Sequence, residues 1–372
     1  MGNEMNELRY LDLKNTLCEK IYEGVYKDGE KIPSERQLST DYDVSRITVR
    51  KTLELMEKEN LIVREVGNGT RVTLKNYGND NPLDVVALTA PSRNPFFAKF
   101  IAEFQKQAWE KDTLLLYVEV PERTSVEDCL YRLYTRNIRN VVIWQDDQAI
   151  DREKLLRLRS IGMNLVFFDA DDALPYADAV FLDNAAAVRE LVESTEFPDS
   201  EYLYVGWDNR SIGNVRKREE AFIENCPEGK VVRIPWRRDR KIDEASMERV
   251  KEKIVRMPSG MIVCGAGEIA QRIAETLWGT EEQKEDYVIG SIDDFDGSER
   301  YPVRIYVQDL KESAKKIYQR LEEQSELGSG WKAESYQIRG ILKEKNKKKG
   351  YRITKTFIKE CKKYKEAMQW KK

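Results

Sequence analysis

From Asp84 onward the sequence alternates short apolar runs with stretches of helical length, and this alternation limits the available folds more than any other feature. The strand-like runs are DVVALTA, LLLYVEV, NVVIW, NLVFF, AVFL, EYLYVG, GMIVC, YVIGSI and VRIYV, and helix-like segments separate most of them. Strands and helices in alternation give mainly parallel sheets, right-handed crossovers and ligand sites at the strand carboxyl ends. About ten strands over roughly 250 residues are too many for one small sheet, which predicts two lobes. At 372 residues the chain has room for two or three domains.

The first 75 residues follow a different period. Leu13, Leu17, Ile21 and Val25 form one stripe of an amphipathic helix, which DGEKIP ends. PSERQLSTDY then opens a helix with Ser34 three residues before Gln37, a capping-box pattern. After a DVS turn, Ser45 caps a second helix, RITVRKTLELMEKE. LIVREV and TRVTL flank GNG, a hairpin signal. Helix, helix-turn-helix and β-wing make a compact DNA-binding layout. Arg46 and Arg50, four residues apart, share one helix face, while Val49, Leu53 and Met56 face the core. Paired guanidinium groups suit guanine edges and phosphates. Arg36 and the hydroxyls of Ser34 and Thr48 are placed for phosphate contact, and the wing tip Gly67-Asn68-Gly69 for close approach to the duplex.

Composition closes other routes. The chain has no histidine, which removes Ser-His-Asp and Cys-His catalysis and H-E-x-x-H metal sites. Its five cysteines are scattered without a C-x-x-C pair, arguing for a reducing cytoplasm and against a zinc ribbon. No apolar stretch approaches the roughly 20 residues that span a bilayer. MGNEMNELRY lacks a signal region, and Asn6 stands where N-myristoylation needs Ser or Thr. Neither a membrane partner, a cofactor nor a metal is expected.

Net charge is −3, unevenly spread. Residues 339–372 carry fourteen Lys/Arg against three Asp/Glu, whereas residues 1–75 carry thirteen basic and fourteen acidic side chains. Affinity for DNA would therefore come from local placement, dimerisation and the basic tail. In that tail Ile353, Phe357, Cys361, Tyr364 and Met368 form one helical stripe, read as a helix docked on the body or on a partner subunit, with membrane-surface binding as the alternative. The expected boundaries are a DNA-binding domain at 1–74, a linker at 75–83, a two-lobed effector and dimerisation domain at 84–342, and a basic amphipathic helix at 343–372.

KIPSERQLSTDYDVSRITVRKTLELMEKENLIVREVGNGTRV closely resembles the winged helix-turn-helix head of the GntR family of bacterial regulators, with P-S-E-R, V-S-R-x-T-V-R and G-x-G-T in the family's order. By that resemblance Arg36, Arg46, Thr48, Arg50 and Gly67 fall on DNA-contacting positions, and Ile47 departs where Thr is common. DVVALTAPSRNPFFAKFIAEFQKQA resembles the opening of the LacI/GalR-type effector domain, a relative of periplasmic sugar-binding proteins. NLVFFDAD, RKREEAFIEN and VIGSIDDF match later parts of it in order. The resemblance implies a periplasmic-binding-protein-like domain with mainly parallel sheets, and a head and body combined as in the arabinose-repressor class.

CGAGEIAQRIA, taken alone, is a Gly-x-Gly-x-x-Ala turn between a strand and a helix, as in a dinucleotide site with Asp293 to hold a ribose. In the LacI alignment it occupies the place of A-N-D-x-x-A, which makes it a turn at the cleft; Gly267 then replaces a sugar-binding Asp, and Ser291 shifts the later loop. Effector contacts are expected from Asn94, Phe96 and Phe97 in the N-P-F-F loop, from Trp144, Trp207 and Trp236 stacking on a pyranose, and from Asp169, Arg218 and Asp293 at its rim. The function expected is a non-enzymatic, ligand-responsive repressor, a dimer on a palindromic operator with a sugar or sugar derivative as effector. The alternatives are an NAD enzyme built on Gly265-Ala266-Gly267 and a constitutive DNA-binding factor with an empty cleft.

Overall fold

The structure is a computed structural model that describes residues 2–65, 67–74, 83–90, 95–121, 123–145, 149–170, 175–195, 201–237, 239–257, 259–278 and 287–345. Most of the expected linker, Asn94 and nearly all of the expected C-terminal helix lie outside the described residues.

The chain begins with α1 (Gly2–Tyr22), α2 (Glu35–Asp41) and α3 (Arg46–Lys58), followed by the antiparallel hairpin of β1 (Ile62–Glu65) and β2 (Gly69–Val72). Ser34 and Ser45 are extended N-caps whose hydroxyls accept from Gln37 N at 3.2 Å and Thr48 N at 3.1 Å. Only half of the expected capping box forms, because the Gln37 amide donates forward to Asp41 at 2.7 Å. Leu13, Leu17, Ile21, Leu38, Val49, Leu53, Met56, Ile62 and Val72 are all buried, and α1, α2 and β1 each contact α3. Val25, expected on the same stripe, is exposed instead: α1 ends at Tyr22, and Gly24, at φ +78°, turns the chain away.

The chain divides into two units, the first of which includes these N-terminal elements, and it passes between them at 180/181, 312/313 and 336/337. The first lobe is built on β3 (Val85–Thr89), β4 (Leu114–Val118), β5 (Asn140–Trp144), β6 (Asn164–Phe168), β7 (Asp178–Leu182) and β13 (Ser335–Ile338) in the order β13-β7-β6-β5-β3-β4, with α4 (Pro95–Glu110), α5 (Val126–Tyr134), α6 (Arg152–Ser160) and α11 (Leu310–Leu327). Its β3–β7 pairings are parallel. The second lobe orders β8 (Tyr202–Trp207), β9 (Lys230–Ile234), β10 (Gly260–Cys264), β11 (Tyr287–Ile292), β12 (Val303–Val307) and β14 (Ile341–Glu344) as β14-β12-β11-β10-β8-β9. Its helices are α7 (Asn184–Glu193), α8 (Gly213–Asn225), α9 (Glu244–Val255) and α10 (Gly267–Trp278). All its pairings are parallel except that of β14 with β12. The α/β class with mainly parallel sheets is as the sequence predicts. Residues 343 and 344, expected to start the C-terminal helix, lie instead in β14, where they extend the ladder on β12.

In each sheet the strand order reverses once, between β3 and β5 and between β8 and β10. The carboxyl ends of the flanking strands at such a point form the natural ligand crevice of a doubly wound sheet. α1 also packs on the first lobe. The Tyr22 ring stacks on Tyr131 at 4.3 Å, its hydroxyl donates to Asp128 at 2.9 Å, and Arg157 donates to the Tyr22 carbonyl at 2.7 Å. Among the described residues no helix is long and apolar enough to cross a membrane.

Candidate nucleic-acid interface and effector residues

The N-cap at Ser45 starts α3 so that Arg46 and Arg50 emerge on one exposed face, with Arg36 exposed on α2. Glu35 accepts from Arg50 at 3.4 Å and Arg64 at 2.5 Å, so one carboxylate orients guanidinium groups from α3 and the wing. The Ser34 side chain is exposed beside this face. Thr48 departs from the expectation that its hydroxyl reaches a phosphate: it is buried and shares a 2.8 Å hydrogen bond with Ser45, so it completes the cap. At the wing tip Gly67 and Gly69 hold φ of +79° and +93°, which a hairpin this tight requires. Asn68, between them, is exposed and donates to the Glu65 carboxylate.

The expected effector residues of the first lobe gather at the carboxyl ends of its strands. Trp144 closes β5 and meets Phe97 edge-on at 4.6 Å, both buried. Phe96, half-buried, lies 6.0 Å from the parallel ring of Phe168 at the end of β6. Asp169 follows at φ +60° and is buried.

The second lobe repeats the arrangement. Trp207 ends β8, buried, with its ring 5.8 Å from Trp236 at 88°. The Arg240 guanidinium lies 3.7 Å from the Trp236 ring centre, so one face of that indole is already stacked by a cation instead of open to a sugar. The indole N–H groups of Trp207 and Trp236 are buried and have no hydrogen-bond partner among the described residues. Arg218, buried, donates to Asn184 at 2.7 Å and to the Gly265 carbonyl at 2.8 Å. Asp293, at φ +72°, accepts from Gln308 at 2.9 and 3.1 Å. Sequence reasoning passed over Asn184, Arg240 and Gln308. Gln308, just past the end of β12, could have been found by applying the strand-end rule to every strand.

The Gly-x-Gly turn has a use inside the fold. A Cβ at Gly265 would stand 2.5 Å from the Tyr204 hydroxyl oxygen, and one at Gly267 3.3 Å from the carbonyls of Asp293 and Asp294. Both glycines let the β10–α10 turn sit against β8 and the loop after β11. The described residues contain no cluster of three or more Cys, Asp or Glu suited to a metal.

Residues 9–72 match the family model described as bacterial regulatory proteins, gntR family. This segment is a GntR-type helix-turn-helix domain. Similar to it is a probable fructoselysine utilization operon transcriptional repressor of Escherichia coli K12, 36% identical over 74 residues, 20% of this chain and 30% of that one. A Uxu operon regulator of Haemophilus influenzae is 29% identical over 180 residues, 47% of this chain and 62% of that one. The chain thus spans under a third of the first relative and under two thirds of the second. Behind the GntR-type head, the body has the fold of LacI-type, periplasmic-binding-protein-like regulators. The Cra transcriptional dual regulator of Pseudomonas putida, solved in complex with fructose 1-phosphate, matches with a TM-score of 0.58 at 15% identity, over 71% of this chain and all of that one.

Proposed function

We propose that this protein is a cytoplasmic, ligand-responsive transcription regulator, a repressor that binds a palindromic operator as a homodimer and answers to a sugar or sugar derivative. The observation that carries this reading is the exposed row of Arg36, Arg46 and Arg50 on a GntR-type head attached to a LacI-type body. Arg46 and Arg50 contact guanine edges, Arg36 and Ser34 contact phosphate, and Gly67, Asn68 and Gly69 bring the wing against the duplex. Thr48 acts through the cap that aims Arg46. The proposed effector contacts are Phe96, Phe97, Trp144 and Asp169 of the first lobe, Trp207, Arg218 and Asp293 of the second, and Asn94, which lies outside the described residues. Ligand binding regulates DNA affinity by favouring one arrangement of the molecule over another, for which a few kcal/mol of coupling suffices.

A homodimer is supported by Trp109 and Leu114, 81% and 69% exposed at the end of α4 and on the edge strand β4. Large apolar side chains on an uncovered edge mark an interface. No part of this reading uses a cofactor or a chemical step.

The deciding experiment incubates the pure protein with sheared genomic DNA, with and without a panel of sugars and phosphosugars, and sequences the retained fragments. Enrichment of a few palindromic sites that one sugar abolishes or strengthens is the expected result. Retention without sequence preference would refute the regulator reading, and enrichment indifferent to every sugar would refute the effector.

A further inference from the structure

The core of the head accounts for most of the apolar side chains of α3: Val49, Leu53 and Met56 are fully buried and Leu55 is half-buried. Ile47 is the exception at 75% exposed, the most exposed aliphatic side chain among the described residues. It lies in the first helical turn, two residues after the cap at Ser45, next to Arg46 and one turn before Arg50. A β-branched residue at this place does nothing for helix formation, and its exposed surface stabilises nothing in the head itself.

We infer that Ile47 reads the 5-methyl group of a thymine in the major groove, beside the base pairs that Arg46 and Arg50 address. The inference rests on the duplex-reading function proposed above. The sec-butyl side chain of isoleucine can neither donate nor accept a hydrogen bond, and the thymine methyl is the only apolar group of any size that a base edge offers there. A neighbouring guanine, reached by either arginine, would leave Ile47 over the adjacent pair, where contact with a methyl removes apolar surface of both partners from water. Cytosine has only a hydrogen at C5 in place of the methyl, and the amino and carbonyl groups of cytosine, adenine and guanine would be desolvated by the side chain without a partner.

The test starts from a randomised duplex library enriched on the full chain. The best site is then remade with deoxyuridine replacing each thymine in turn, a change that removes one methyl and leaves the protein untouched. At one thymine per half-site, loss of the methyl is expected to weaken binding about four-fold, the ratio that corresponds to one buried methyl group. Ile47→Ala should bind thymine and uracil duplexes alike, with thermal melting unchanged because the side chain is outside the core. If the wild type tolerates uracil at every position, or Ile47→Ala still discriminates, the inference falls while recognition by the arginines stands. Failure of the library to enrich at all would bring down the duplex-reading function and this inference with it.

Discussion

Arg46 and Arg50 stand on the exposed side of α3 with Val49 and Leu53 on the other, so their removal costs the fold little. Arg46→Ala and Arg50→Ala should each weaken binding to the enriched site by about 1–3 kcal/mol and relax specificity at one base pair. Unchanged affinity of the double variant in a gel-shift titration would remove α3 as the reading element. These arginines were legible because helical spacing and an adjacent cap fix where a side chain points. Thr48 was not, since Ser45 can recruit the next hydroxyl into its own cap and no spacing rule distinguishes that from an outward rotamer. Gly265 was half legible: the sequence shows that a backbone must be approached closely, but not by what. The approaching group is Tyr204, and Gly265→Ala should destabilise by about 1–3 kcal/mol through overpacking, read from the midpoint of urea unfolding.

Among whole elements, the buried strands and the edge strand β4 were read from sequence, and the edge strands β9, β13 and β14 were missed. β5, β6 and β10 are buried at every residue and appear as continuous apolar runs. β13 alternates exposed and half-buried side chains and β14 is exposed at all but Leu342, in four residues each, too short and too polar to stand out from a loop. What fixes β13 is a buried network no pattern predicts. Asp178 of β7 accepts from Arg320 at 3.0 and 3.1 Å, Gln324 at 2.6 Å, Trp331 at 3.1 Å and the Glu334 amide at 2.8 Å. Asp178→Ala removes the fully buried carboxylate from Arg320 and leaves that buried guanidinium only the more exposed Glu323 and Glu334, which should cost about 3–5 kcal/mol in chemical denaturation. The seat of α1 has a pH dependence of known sign. Burial acts to raise the pKa of Asp128, but its bonds with Ser125, Tyr22 and Lys154 and the lysine charge together hold it below the ordinary carboxylate range. The group therefore stabilises the contact at neutral pH, and that contribution is lost as pH falls through the lowered value, below about 4. Hydrogen-exchange protection of α1 should drop across that window, and the drop should vanish in Asp128→Asn.

In the homodimer proposed above, assembly state and DNA affinity are linked, since two heads on one site bind with an effective concentration that a lone head lacks. Trp109→Glu combined with Leu114→Glu should give a monomer in light scattering and lose most operator affinity while keeping the melting temperature. A variant that stays dimeric would place the interface elsewhere. The order of the strands along the chain also has a meaning during synthesis. The head is complete once residue 74 has left the ribosome, but the first lobe waits for β13 and the second for β14, and these lie side by side in sequence near residue 340. A nascent chain therefore carries every residue of its GntR-type head well before either lobe can close its sheet, and under the function proposed above a message truncated short of that point would release a head with no effector domain to govern it.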